Sequence, residues 1–210
     1  MATFGAYLLL SNGNVFVTPD ATPMCLYTRQ QISCPSTQNT SKYIAVPTNK
    51  PVMVFVKTSI GGVTASVSRA NSGQILCAFG RDVKNTYTAT VYVFSIFPQP
   101  LPKWGMAIWN ASGELVLTNE SRILTDIITV GSPGNGGGIN IDQTLSGSYA
   151  ICPQLLGAVV GQGSASIYAA AYYNGSKTRI YGVTAGGVYN PTGYINHGNA
   201  ITAIKTDAYD

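Results

Sequence analysis

Charge is scarce in this sequence. Only 10% of its 210 residues are Asp, Glu, Lys or Arg, whereas an average soluble domain has roughly 25%. Ser, Thr, Asn, Gln, Gly and Tyr must therefore cover most of the surface, and the chain holds 23 Gly and 13 Tyr. Such a surface suits permanent contact with other protein, or an extracellular setting, better than free diffusion in a crowded cytosol.

Motifs that carry chemistry are missing as well. The sequence has one His, His197, and four Cys without a C-x-x-C pair, so a zinc site is not expected. The glycine-rich stretch 131–138 lacks the GK[ST] ending of a phosphate-binding loop, and no G-x-S-x-G motif is present. We therefore predict that the protein is not an enzyme and has no catalytic residues, no metal ligands and no cofactor.

The cysteines allow two interpretations. Cys25 and Cys34 close a short segment, CLYTRQQISC, and are a candidate disulfide if the finished protein lives outside cells. The favoured alternative is that these two, with Cys77 and Cys152, are buried thiols acting as small apolar residues.

The few charges are distributed unevenly. Residues 1–100 carry seven Lys or Arg against two Asp, a net charge of +5, and residues 101–210 carry five bases against six acids, a net charge of −1. The bases form no run interleaved with aromatics, so we expect no nucleic-acid partner. No window approaches the roughly 18 consecutive apolar residues of a membrane span, and the first residues do not read as a signal peptide, so we expect no membrane insertion.

An internal repeat is the most informative feature that is present. The segment FGAYLLLSNGNVFVT at 4–18 aligns without a gap on WGMAIWNASGELVLT at 104–118, 100 residues later. Each copy alternates apolar residues on both sides of a Gly- and Asn-rich turn, which is typical of a β-hairpin, and Gly13 and Gly113 are the predicted turn residues. The repeat favours two copies of one domain type.

Short Val-, Ile-, Thr- and Tyr-rich segments separated by Gly, Asn, Ser or Pro fill the rest of the chain. No capped segment has apolar residues at helical spacing, so we predict an all-β fold of two tandem, similar β-sandwich domains. The domains are predicted at 1–98 and 104–210, joined by a proline-rich linker at 99–103. A single larger barrel is the alternative, and it explains the repeat less well.

Tyrosine-rich sequence near the end of the chain is the candidate contact surface. Tyr offers a large amphipathic area at low entropic cost and is common at interface hot spots. We expect an exposed, contact-making loop within 169–199, with these candidate residues: Tyr172, Tyr173, Tyr181, Tyr189 and Tyr194. The alternative is that half or more of the tyrosines pack into cores or onto sheet faces.

The second hairpin is similar to a signature of small tail-tip proteins of long-tailed bacteriophages. The pattern runs from a Gly through a strand, an aromatic, an Asn, a Gly turn and a second strand to an Arg. These positions are held here by Gly105, Trp109, Asn110, Gly113 and Arg122. The first copy keeps Gly5 and Gly13 but has Leu9 in place of the aromatic residue.

The resemblance implies a structural virion protein of the tail tip or baseplate, made in the host cytoplasm and present in several copies. Its expected partners are other tail proteins, in a homo- or hetero-oligomer, and a host surface receptor where it takes part in attachment. Two other functions stay open. One is a carbohydrate- or receptor-binding module, and the other is a capsid decoration protein.

Overall fold

The computed structural model describes residues 22–36, 39–80 and 85–210, together with the backbone of two short strands before them. Strands make up nearly all of the regular structure in these residues, so the predicted all-β class is confirmed. One short 3-10 helix spans Gly138–Asn140. The strands, numbered along the chain, are β1 Leu8–Leu9, β2 Val15–Val17, β3 Cys25–Cys34, β4 Thr40–Ala45, β5 Val52–Thr58, β6 Thr64–Asn71, β7 Gln74–Gly80, β8 Tyr87–Ser95, β9 Ala107–Trp109, β10 Leu115–Thr118, β11 Ile127–Val130, β12 Asp142–Ser146, β13 Tyr149–Ile151, β14 Leu155–Tyr173, β15 Lys177–Thr184, β16 Tyr189–Asn196 and β17 Ile201–Lys205.

The first half of the chain packs two layers of strands around one core. β3, β8 and β5 pair in antiparallel order, and β4, β7 and β6 form a separate three-stranded sheet. β7 shows the alternation that such a layer requires, because Ile75, Cys77 and Phe79 point inward while their neighbours are more exposed. Apolar side chains from all six strands meet in this first core.

The second half encloses its core with strands of one sheet. β14 pairs along its first part with β16 and along its last part with β15, and β12 pairs with β15. Between the two ladders lies Gly163, whose positive φ of 105° is accessible to glycine and strained for other residues. The second core draws its side chains from β11, β13, β14, β15 and β17.

The two halves share one ten-stranded sheet and a third apolar cluster. β5 joins strands of the second half through the pairs Val56 with Ile151 and Thr58 with Tyr172. β5 and β8 are buried on both faces. In each strand, one face packs on the first core and the opposite face packs toward the second half of the chain. The third set, which we name the joint cluster, consists of Phe55, Tyr92, Phe94, Ala150, Ile204 and Tyr209.

The predicted hairpin repeat has the same strand register in both copies, and each copy has one irregularity in its pairing. Trp109 lies opposite Leu115, and Ile108 lies opposite Leu117. One hundred residues earlier, β1 and β2 pair Leu9 with Val15 and Leu8 with Val17. The repeat is therefore a repeat of hairpins. The prediction of two similar sandwich domains is not confirmed, and the boundaries at 98 and 104 stay a prediction.

Four strands differ from the sequence interpretation. The CLYTRQQISC segment forms the strand β3, and part of the expected tyrosine-rich loop forms the strand β16. The strands β4 and β12 were not predicted from the sequence. β3 and β4 carry polar residues at many positions because each lies at a sheet edge, where one face meets solvent. Such strands have weak hydrophobic patterns, which is why the sequence did not reveal them.

Candidate functional site

The five predicted contact tyrosines divide into exposed and packed groups. Tyr189 and Tyr194 are 73% and 67% exposed, and both lie on β16 beside the exposed Ile195. Tyr172, Tyr173 and Tyr181 are only partly exposed. The structure therefore leaves two of the five as candidates for a contact surface.

β16 presents the sheet edge on which these two tyrosines lie. In the described part of the chain it pairs only with β14, and seven of its eight residues are exposed. Pro191 lies within the strand and has no N–H to donate, which is a feature of protected edge strands. The aromatic side chains of β16 are thus more available to a partner than its backbone.

Tyr172 and Tyr181 stabilise the link between the halves. The Gly62 N–H donates to the Tyr181 hydroxyl, and a Cβ built on Gly61 would lie 3.6 Å from the Tyr172 ring. The Arg179 guanidinium stacks 4.2 Å from the centre of the Tyr181 ring. Both tyrosines therefore make their contacts within the molecule and are less available to a partner.

Tyr173 lies beside a buried lysine. The Lys57 ammonium is 5.3 Å from the centre of the Tyr173 ring and 5.4 Å from that of Tyr92. The Tyr173 hydroxyl donates to the Gly175 carbonyl at 2.7 Å. Tyr173 therefore borders a small polar cavity of about 370 Å³ that Lys57 also lines.

Lys57, Arg29 and Asp210 form an ionic cluster at this cavity. Alternation along β5 places Lys57 on the same face as Phe55, toward the second half of the chain. The Lys57 ammonium lies 2.8 Å from one Asp210 oxygen, and Arg29 lies 3.2 Å from the other. Tyr92 also donates to Asp210. Sequence reasoning missed this cluster because its members are 28 or more residues apart and match no motif.

The pKa values in this cluster follow from burial and pairing. Burial raises the pKa of Asp210, but hydrogen bonds from Lys57, Tyr92 and Thr206 outweigh it and lower the pKa to about 2. Burial lowers the pKa of Lys57, although Asp210 opposes that change. Burial raises the pKa of Tyr92. Asp210 therefore stays ionised at any physiological pH.

All three ammonium protons of Lys57 have acceptors. They go to Asp210, to Ser148 at 2.7 Å and to Thr206 at 3.0 Å. Ser148 is only 5% exposed, so its hydroxyl is not open to a substrate. A lysine must release a proton to act as a nucleophile or base, and here all three of its protons are bound to acceptors within the described residues. The arrangement stabilises the joint between the halves.

Large exposed apolar side chains mark a second surface, just before and within β9. Trp104 is 77% exposed and Trp109 is 51% exposed. Leu101 is 71% exposed and Met106 is 45% exposed. We name these four residues the hairpin surface. The sequence predicted the hairpin, but the alternation of apolar residues did not predict that large apolar side chains of β9 and the segment before it would be exposed to solvent.

The hairpin turn that carries this surface is well defined. Gly113 has a φ of +77°, as its predicted turn role requires. The Asn110 side-chain oxygen accepts from the backbone N–H groups of Ser112 and Glu114 at 3.0 and 2.9 Å. The corresponding Gly13 lies outside the described residues.

The candidate disulfide is wrong for this fold. Cys25 and Cys34 are free thiols at opposite ends of β3. At about 3.3 Å per residue, an extended strand of this length separates its ends by roughly 30 Å, whereas bridged Cα atoms lie within about 7 Å. Both thiols are buried, as is Cys77, while Cys152 is partly exposed.

Metal-binding clusters and membrane-spanning helices are both absent from the part of the chain that the structure describes. It holds no group of three or more His, Cys, Asp or Glu residues arranged to bind a metal ion. It also holds no helix with the length and apolar character needed to cross a membrane.

Comparison with known proteins gives no relative. Neither the family models, nor the curated proteins, nor the solved structures contain a match to this chain. The function of the protein must therefore be inferred from the geometry of its own surfaces and cavities.

Proposed function

We propose that the protein is a non-enzymatic structural component of the tail tip or baseplate of a long-tailed bacteriophage. It would assemble in several copies with other tail proteins and take part in host attachment. The observation that carries this proposal is the hairpin surface, where four large apolar side chains meet solvent within residues 101–109.

Exposed apolar side chains of this size favour burial against another protein. Covering apolar surface gains about 25 cal/mol per Å², and Trp is among the residues most often found at interface hot spots. The segment also carries little charge, with Lys103 as its one ionisable residue. A partner would therefore meet an apolar patch with little charge to desolvate.

The rest of the molecule supports a contact role in the same way. Charged residues make up only 10% of the sequence, which suits a protein whose surface is covered in an assembly. In the ionic cluster, the Lys57 ammonium has all three of its protons bound within the described residues. Tyr189 and Tyr194 offer a second contact area on β16.

Locating the protein in particles tests the proposal. Phage particles from the source organism would be labelled with gold-conjugated antibody, and we expect label at the tail tip. Label on the head would replace the tail-tip role with capsid decoration. Absence of the protein from purified particles, measured by mass spectrometry, would overturn the virion role altogether.

A variant connects the surface to assembly. Trp104→Asp with Trp109→Asp places two charges on the hairpin surface, and we expect incorporation into particles to fall about tenfold or more. The matched control is Tyr43→Asp, which changes an aromatic residue that is 61% exposed on β4, elsewhere in the fold. Equal incorporation of both variants would show that the hairpin surface is not the contact.

A further inference from the structure

We propose that an open cleft between β6, β7 and the end of β15 binds an uncharged saccharide. The cleft has a volume of about 610 Å³, within the range of roughly 300–1,000 Å³ that is usual for small-molecule sites. Tyr168 of β14 and the turn at 184–187 form one wall, and residues 64–66 and 78–80 form the other. This inference goes beyond the assembly role and does not depend on it.

The described part of the lining carries hydrogen-bonding groups without charge. Among the described residues, the polar side chains at the cleft belong to Asn39, Thr64, Ser66, Tyr168 and Thr184, and no Asp, Glu, Lys, Arg or His joins them. Phosphates, sulfates and carboxylates are normally held by Arg or Lys. A neutral ligand with many hydroxyl groups fits this wall better than an anion.

Four of these polar side chains have no partner within the described residues. Thr64 donates to the Gly80 carbonyl at 2.9 Å, but Asn39, Ser66, Tyr168 and Thr184 make no such hydrogen bond. An amide and three hydroxyls provide both donors and acceptors. Sugar hydroxyls need this mixture, because each both donates and accepts.

Tyr168 and two glycines add to the fit between cleft and sugar. A sugar ring has an apolar C–H face as well as hydroxyl edges, and a partly exposed tyrosine ring offers a matching flat apolar surface with a polar tip. Gly186 and Gly187 leave open space beside the backbone of the lining, because a Cβ on either would meet no atom within 4 Å. The cleft therefore presents an aromatic platform, hydroxyls and an amide to one ligand.

The first experiment measures binding by the purified full chain. Probes are a printed panel of neutral oligosaccharides (gluco-, galacto-, manno- and N-acetylglucosamine oligomers) alongside sulfated, sialylated and uronate glycans. We expect saturable binding of at least one neutral oligosaccharide, confirmed in solution by saturation-transfer NMR. Absence of neutral binding, or a preference for the anionic glycans, would overturn the proposal.

Two glycines supply a matched pair of variants. Gly187→Trp places a ring in the cleft lining, and Gly136→Trp places one on the loop at 131–138, which contributes no residue to that lining. A Cβ at either position meets no atom within 4 Å, and neither glycine has a positive φ. We expect Gly187→Trp to weaken binding of the best neutral oligosaccharide about tenfold or more, and Gly136→Trp to leave it unchanged.

Tyr168 gives an independent measurement should Gly187→Trp fold poorly. Tyr168→Leu removes the ring, and we expect about tenfold weaker binding, while Tyr168→Phe keeps the ring and loses less. Unchanged binding by Tyr168→Leu would place the sugar elsewhere. Because these assays use isolated protein, their outcome is separate from the particle location that tests the assembly role.

Discussion

Residues 25–95 bury their core between two sheets, whereas residues 127–205 bury theirs among strands of one sheet. The two halves nevertheless carry hairpins of the same register, β1–β2 and β9–β10. A shared hairpin therefore does not imply a shared domain architecture. The difference lies in the strands beyond each hairpin, because β14 is 19 residues long and pairs in succession with different strands.

The residues of the joint cluster are buried as completely as those of either core. Phe94 and Tyr209 meet edge to face with ring centres 4.9 Å apart, and the Tyr209 hydroxyl donates to the Ile123 carbonyl at 2.8 Å. A domain boundary placed at the proline-rich stretch 99–103 would assign Phe94 and Tyr209 to different domains. Both rings belong instead to one buried cluster to which the two halves contribute.

Breaking the joint should have the largest effect. Tyr209→Ala removes a ring that is 1% exposed, and we expect the free energy of unfolding to fall by about 3–5 kcal/mol, as for other buried aromatics. Urea denaturation measures this change. The control Tyr189→Ala, at an exposed ring, should cost less than about 0.5 kcal/mol. Equal losses would show that the joint does not hold the halves together.

Removing the charge at the joint should have a smaller, pH-dependent effect. The folded pKa of Asp210 is about 2, below its unfolded value of about 3.9. Its contribution is therefore complete above roughly pH 5 and is lost as the pH falls toward 2. We expect Asp210→Asn to cost about 1–2 kcal/mol at pH 7, discounted for its partial exposure, and progressively less down to pH 3.

Asp142 provides the control for that titration. Its carboxylate pairs with Arg179 at 2.6 Å, but both side chains are about half exposed. Asp142→Asn should cost less than about 0.5 kcal/mol at pH 7, because exposed ion pairs stabilise little. A pH-independent cost for Asp210→Asn in urea denaturation would contradict the role of its carboxylate.

Straining the hairpin that the halves share should have a modest effect. Gly113→Ala forces alanine to a φ of +77°, and we expect a loss of about 1 kcal/mol in unfolding free energy. Gly136→Ala, in open space without a positive φ, should change stability by less than about 0.5 kcal/mol. Thermal denaturation of the pair measures the difference, and equal melting temperatures would contradict the turn assignment.

The smallest expected effect concerns the cysteines. Burial raises the pKa of the Cys25 thiol to about 11, although a hydrogen bond with Ser121 opposes it, and burial alone raises that of Cys77 to about 11. Both thiols should react slowly with iodoacetamide at pH 7 until the chain is unfolded. Adding a reductant should leave the melting temperature unchanged. A lower melting temperature in reductant would indicate a disulfide.

Much of the local structure could be predicted from the sequence. Alternating apolar residues and Gly-containing turns determine strands such as β5, β7 and β15 and the hairpin at Gly113, because these patterns depend on neighbours along the chain. Polar edge strands such as β16 were missed because their weak pattern resembles a loop.

The all-β class, the repeated hairpins and the low-charge surface follow from composition or short-range spacing, so the amino-acid sequence is enough to predict them. Tertiary packing determines which rings are exposed, how far Cys25 lies from Cys34, and that Lys57 meets Asp210. Tertiary packing also forms the polar cleft, because its walls come from residues about 100 positions apart. Contacts between distant segments depend on how sheets pair and pack, and no local pattern encodes that pairing.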